Sequence, residues 1–259
     1  MSWEVLAVRY GTLASTRAVL HYNWRAYGEP DAPQSLDYYL YVLRDGERVV
    51  LVDTGFAVDS ARRRGRTPLI DPPEAVARLG IAPEAVTDVV VTHLHYDHVG
   101  NLGGWPHARL HVPGAELDFW ATDVAARTQF AIHVDPEPIA WLLAEDRAGR
   151  VARYDGPAEP VPGVSALRVG GHSPGQHVLL VRTGGRPVLL ASDAVHLYDE
   201  LERERPFAVF ADLVEMYEGY ALVRRLAAEH DAVVVPGHDP LVTERFAAVD
   251  ADGLALRLG

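Results

Sequence analysis

The chain has 259 residues, 48% of them apolar and 23% charged, with a net charge of −12 (histidines neutral) and no cysteine. That length and apolar share suffice for a buried core in one large α/β domain or two small ones. The acidic balance disfavours a polyanion partner such as RNA or DNA, and the missing cysteine excludes disulfides, thiol nucleophiles and thiolate metal ligands.

Val5 to Tyr10, Tyr38 to Leu43 and Arg48 to Val52 read as strands, with a hairpin turn at Asp45-Gly46 joining the last two. The only basic cluster, Arg62-Arg63-Arg64-Gly65-Arg66, reads as a solvated loop. Pro73 to Leu79 is a short helix stopped at Gly80, and Pro83 to Val86 adds a turn. Val89 to Val91 form a short buried strand, and Arg109 to Val112 another. From Pro113 to Asp146 the pattern is helical, with Phe119, Trp120, Phe130 and Trp141 among its apolar residues. Strands resume at Val164 to Val169, Val178 to Arg182 and Val188 to Ala191. Asp212 to His230 is the strongest helix, with Leu213, Met216, Tyr217, Tyr220, Val223 and Leu226 near helical spacing. A strand at Val233 and a terminal segment, Leu254 to Leu258, complete the order. No stretch reaches the ~18 uncharged apolar residues of a membrane span. Glu4, Arg9 and Arg17 interrupt the start, so no signal peptide and a cytoplasmic location are expected.

Residues 93–98 read His-Leu-His-Tyr-Asp-His, directly after the valine strand. On extended backbone His93 and His95 point to one side, because side chains alternate with period two. Asp97 and His98 follow where the chain turns toward Gly100. Imidazole nitrogen and carboxylate oxygen suit zinc and similar divalent ions. Further candidates sit at the ends of later apolar runs: His172 in Gly-Gly-His-Ser-Pro-Gly, Asp193 in Ser-Asp-Ala and His238 in Pro-Gly-His. Ligands at the ends of several strands converge when those strands share a sheet edge.

This ordered set, together with the Asp53-Thr54-Gly55 turn, resembles the metallo-β-lactamase superfamily from about Val5 to His238. The resemblance implies an α/β fold, an αββα sandwich of two mixed β-sheets packed face to face with helices outside. It implies one domain, 1–259, in which 113–150 is a substrate-covering insertion that makes Phe119, Phe130 and His133 candidate pocket residues. It also implies two divalent metal ions: His93, His95 and His172 on one, Asp97, His98 and His238 on the other, with Asp193 between them. Zinc is the expected metal, with iron, manganese or cobalt as alternatives. A metal-bridging hydroxide would be the nucleophile, Asp97 its proton carrier, and Asp53 a partner orienting a ligand histidine.

Within the superfamily, true β-lactamases lack the bridging aspartate, and RNA-processing members carry basic surfaces. Glyoxalase II enzymes usually add a helical C-terminal domain, whereas this sequence ends 21 residues after His238. The sequence is most similar to the N-acyl-homoserine-lactone lactonase group. That group places a tyrosine three residues after the bridging aspartate; here the position is His196, with Tyr198 two further on. Either is expected to donate to the substrate carbonyl. The expected partner is a small-molecule substrate, with no nucleic acid and no membrane; a homodimer is compatible with the sequence. Thioester or other ester hydrolysis of the glyoxalase II type, phosphodiester hydrolysis and mononuclear-iron persulfide oxidation are the alternatives.

Overall fold

A computed structural model describes residues 2–259 and contains two mixed β-sheets. The first sheet contains β1 (Glu4–Thr16), β2 (Pro33–Arg44), β3 (Val49–Val52), the two-residue β4 (Thr67–Pro68), β5 (Val86–Val90), β6 (Arg109–Pro113) and β7 (Val151–Tyr154). The second contains β8 (Ala158–Val161), β9 (Val164–Arg168), β10 (His177–Val181), β11 (Val188–Ser192) and β12 (Val233–Pro236). Two short strands, β13 (Ala247–Ala248) and β14 (Ala255–Arg257), return to the first. The orders are β13-β14-β1-β2-β3-β5-β6-β7, with β4 on β1, and β12-β11-β10-β9-β8.

Alternation along the strands creates the layers. Val5, Ala7, Tyr39, Tyr41, Val50 and Val52 face Val164, Ala166, Leu179, Val181, Val188 and Leu190 in the core between the sheets. The residues between them, Leu6, Val8, Leu40, Val42 and Leu51, face the opposite way. They meet Ala61 of helix Val58–Arg63, Val76 of helix Pro72–Arg78, Leu117 of helix Gly114–Trp120 and Leu142 of helix Pro136–Arg147. On the outer side of the second sheet, Val178, Leu180, Leu189 and Ala191 pack on helix Leu213–His230 through Met216, Tyr220, Val223 and Leu226. Asp212 caps that helix, accepting from Val214 N and Glu215 N at 2.8 and 3.0 Å, a contact worth about 1 kcal/mol. Each fully buried Val or Leu contributes roughly 1.5–3 kcal/mol, so the shared middle layer binds the sheets strongly. This is the expected αββα sandwich.

Two features exceed the sequence reading. β1 and β2 run on past their apolar runs, pairing Thr12 with Asp37 through Thr16 with Pro33. Their polar ends satisfy one another's backbone, which apolar alternation does not reveal. β7 and β8 were also not foreseen; both are sheet-edge strands of four residues, too short for a clear period. The 113–146 region is helical as expected, in three pieces: Gly114–Trp120, Thr128–Ala131 and Pro136–Arg147.

β3 and β5 are parallel neighbours in one sheet, as are β11 and β12 in the other. Parallel neighbours end at the same edge. The loops after these four strands carry Asp53, the 93–98 run, Asp193 and His238.

Candidate metal centre

Asp193 lies at the centre of the cluster. Its Oδ1 is 3.3 Å from His98 Nε2 and 3.1 Å from His238 Nε2. Its Oδ2 is 3.3 Å from His172 Nε2, 3.9 Å from His93 Nε2 and 3.3 Å from His196 Nε2. Asp97 flanks one side, 3.9 Å from His98 Nε2 and 3.7 Å from His238 Nε2. His95 Nδ1 lies 2.8 Å from His172 Nε2 on the other. Ligand atoms of His93, His95 and His172 all fall within 4.8 Å of one another, as do those of Asp97, His98 and His238. His93, His98 and Asp193 form a group that joins these two. All seven residues expected as ligands are buried and meet at one place.

The outer hydrogen bonds fix which nitrogen faces inward. His98 donates from Nδ1 to Asp53 at 2.7 Å, His172 to the Val209 carbonyl at 3.0 Å and His238 to the Asp37 carbonyl at 2.9 Å. Each ring then directs its Nε2 at the centre, the arrangement that orients metal-binding imidazoles. Asp53 therefore takes the orienting role expected of it. It also accepts from Thr92 N at 2.8 Å and Thr92 Oγ1 at 2.7 Å, and Thr92 Oγ1 contacts Ser192 Oγ at 2.8 Å. Asp53 and Ser192 hold left-handed backbone, with φ of 60° and 46°, a strain found where a site is fixed by its surroundings.

The donor set fits divalent ions. His93 Nε2, His98 Nε2 and Asp193 Oδ1 are buried without a hydrogen-bond partner, and each such orphan costs about 1–3 kcal/mol unless a cation is bound. Burial, with crowding by neighbouring imidazoles, drives His93 and His95 well below the ordinary histidine range. Burial does the same to His172. These rings are therefore neutral and competent as ligands. Burial opposes charge on His98 as well, but Asp193, Asp53 and Asp97 outweigh it and raise His98 well above the ordinary range. Asp193 is likewise held well below the carboxylate range, burial being outweighed by His238, His98 and His196.

The two residues proposed for the substrate carbonyl separate in space. His196 is buried in the cluster, its ring stacked on Phe207 at 3.7 Å. Burial disfavours its charged form, yet Glu200 and Asp193 hold its pKa at about 9. Tyr198 does not reach the site. Its hydroxyl donates to the Val234 carbonyl at 3.2 Å, and Arg245 lies 3.6 Å over its ring. It lines a different cavity, with Ser15, Gln34 and Pro240. The cause is local: Tyr198 opens the helix Tyr198–Arg203, which turns its side chain away from the loop that presents His196.

Among the buried carboxylates that escaped the sequence reading are Glu116 and Glu200. Glu116 accepts from Leu94 N at 3.0 Å, Gly175 N at 2.6 Å, Trp120 Nε1 at 3.0 Å and the Ser173 hydroxyl. It thereby ties the loop of His93 and His95 to that of His172. Glu200 accepts from His196 N at 2.8 Å and Leu197 N at 2.9 Å, and from Tyr220 Oη at 2.7 Å. Nothing in the local sequence sets either apart from a surface glutamate. Glycine signals are clearer: a Cβ at Gly237 would lie 2.8 Å from Asp193 Oδ1, so Pro-Gly-His must keep its glycine.

The cavity over the cluster is small, about 60 Å³, lined by His95, Asp97, His172, Asp193, His196 and His238 together with Leu36, Tyr38, Arg66, Tyr96, His133, Phe207 and Val209. A second cavity shares His95, His133, His172 and Val209 with it and adds Phe119, Trp120, Phe130 and Phe210. Phe119, Phe130 and His133, the pocket candidates of the 113–150 segment, all line it.

Fold and site together define the class: the chain belongs to the metallo-β-lactamase superfamily, whose family description matches residues 37–238. Among similar proteins, the N-acyl homoserine lactonase AttM of Rhizobium radiobacter is 30% identical over 170 residues, 64% of this chain and 63% of AttM. The chain thus spans less than two thirds of that relative's length. An N-acyl homoserine lactonase of a Bacillus species is 26% identical over 219 residues, covering 79% of this chain and 82% of the relative. The fold also matches a solved N-acyl homoserine lactone hydrolase holding N-hexanoyl-L-homoserine at its catalytic metal centre, with a TM-score of 0.77. The two are 21% identical over 96% of this chain and 98% of the other. AidC, described as a dizinc quorum-quenching lactonase, gives a TM-score of 0.69 at 18% identity, over 92% and 88%.

Proposed function

We propose that this protein is a two-metal hydrolase that opens lactone rings, N-acyl homoserine lactones being the substrate class its relatives suggest. One observation carries the two-metal reading: the two oxygens of Asp193 face different imidazoles, Oδ1 towards His98 and Oδ2 towards His172 and His93, with His238 Nε2 between them at 3.1 and 3.3 Å. A carboxylate so placed spans two positions. His93, His95 and His172 would hold one ion and Asp97, His98 and His238 the other. When bound, two such ions, with zinc the best fit to the donor set, supply an acidified water, its pKa lowered from 15.7 to about 7, and Lewis-acid stabilisation of the reacting oxygens.

The chain's own residues supply the rest. Leu36, Phe207 and Val209 exclude bulk water from the cavity, which strengthens every charge interaction inside it. His196 Nε2, 3.3 Å from Asp193, is placed to donate to the substrate carbonyl oxygen as negative charge grows there. Glu200 Oε1, 3.3 Å from His196 Nδ1, positions the ring. Asp97, lining the cavity, takes the proton released on attack and returns it to the departing alkoxide. The helical segment 113–150 walls the adjoining cavity and would cover the acyl part of a substrate.

The test is metal analysis of purified protein, joined to a pH-drop assay over lactones, thioesters and phosphodiesters. Close to two ions per chain and acid release from lactones are expected. One ion at full loading overturns the two-metal reading. Turnover of thioesters or phosphodiesters without lactones overturns the substrate class.

A further inference from the structure

Arg66 belongs to the arginine run that reads as a solvated loop, and the structure separates it from its neighbours. Arg62 pairs with Asp59 at 3.4 Å, and Arg63 and Arg64 pair with Asp135 at 3.8 and 3.1 Å. Arg66 forms no such pair among the described residues. Instead it is partly buried and lines the cavity over the metal cluster. Its Nε donates to Tyr96 Oη at 2.9 Å and its Nη1 to the Arg64 carbonyl at 2.6 Å. Tyr96 Oη is in turn 3.4 Å from Tyr38 Oη. A guanidinium carries five N–H donors, so these contacts orient the fork and leave donors for the cavity. The carboxylate that shares this wall is Asp97, which the proposed function assigns to a metal ion. With its charge engaged there, the guanidinium has no counter-charge of its own.

We propose that Arg66 makes this site selective for substrates bearing an anionic group, a carboxylate above all, beside the bond to be cleaved. This rests on the lactonase reading and shifts its substrate class away from the N-acyl homoserine lactones of the relatives, which are neutral and carry no carboxylate. Of the neutral walls of the cavity, Leu36, Phe207 and Val209 offer a carboxylate nothing and Tyr38, Tyr96 and His133 offer single donors without charge; the arginine offers a planar, permanently charged fork matched to two carboxylate oxygens. The small volume, about 60 Å³, favours a compact ring beside the cluster.

The experiment compares γ-butyrolactone with its 3-carboxylate in metal-loaded wild type, Arg66→Met and Arg66→Lys. The kcat/KM ratio of carboxylate to neutral lactone should be about 10–100 in wild type, the fold-change of one charge-assisted hydrogen bond. It should collapse toward one in Arg66→Met, chiefly through KM, and stay intermediate in Arg66→Lys. A ratio near one in wild type, or an equal loss on both lactones in Arg66→Met, overturns the proposal. In parallel, calorimetry measures binding of cyclopentanone-3-carboxylate to the same three proteins. Binding weakened 10-fold or more by Arg66→Met supports the anion site even where no lactone is cleaved, so the two readings fail separately. Equal binding to wild type and Arg66→Met means that the carboxylate sits on the metals, and the proposal falls.

Discussion

At the residue scale, role follows from which way a side chain points. His196 and Tyr198 are two positions apart, and the sequence offered both as donors to the substrate carbonyl. His196 faces Asp193, and Tyr198 faces the Val234 carbonyl and Arg245. On the proposed two-metal reading, His196→Ala should retain its metal content and lose about 10²–10³ in kcat, the usual effect of removing one oxyanion donor. Tyr198→Phe should keep turnover within a few-fold of wild type. Metal analysis and steady-state kinetics on both variants check this. Loss of an ion from His196→Ala would make His196 a ligand, and a large kcat loss in Tyr198→Phe would restore the tyrosine. The residues that cluster round Asp193 were legible because each follows an apolar run and its chemistry is distinctive. Asp53 was legible from its turn, and it does hold His98.

At the element scale, loops that are far apart in sequence must be tied together. Glu116 lies on helix Gly114–Trp120 and is fully buried, where it binds one donor of the 93–98 loop and two of the 172–175 loop. Removing a buried acceptor leaves its donors unpaired at about 1–3 kcal/mol each. Glu116→Ala should thus destabilise the fold by several kcal/mol in denaturant titration. It should also weaken the ion assigned to His93, His95 and His172 more than the other. A variant of wild-type stability and metal affinity would show that the loops hold their own shape. The sequence could not announce this residue, because its partners in the two loops are 22 to 59 positions away and an isolated glutamate on a helix reads as solvated. The arginine run misled in the opposite sense: Arg62 is exposed as expected, whereas Arg66 turns in to the cavity.

For the whole molecule, one inter-sheet core joins both halves, and the candidate centre takes ligands from loops of both sheets. Bound ions would therefore stabilise the fold as a unit. At 1,000-fold excess over Kd, one ion contributes about 4 kcal/mol. Calorimetry with and without a chelator should show a single transition in each case, shifted down markedly when metal is removed. Two resolved transitions would mean that the sheets unfold separately and that 1–259 is not one domain.

The sequence by itself determined the strands with clear apolar alternation, the helix after Asp212 and the order of the metal-ligand motifs. These are local properties: side-chain period, capping chemistry and the identity of a residue at the end of a strand. Only the tertiary structure decided that Tyr198 is turned away, that Glu116 and Glu200 are buried staples, and that Arg66 lines the cavity. Each depends on partners brought close by the packing of distant segments and on one side chain's direction where a loop or helix turns, and neither is encoded in a nearest-neighbour pattern.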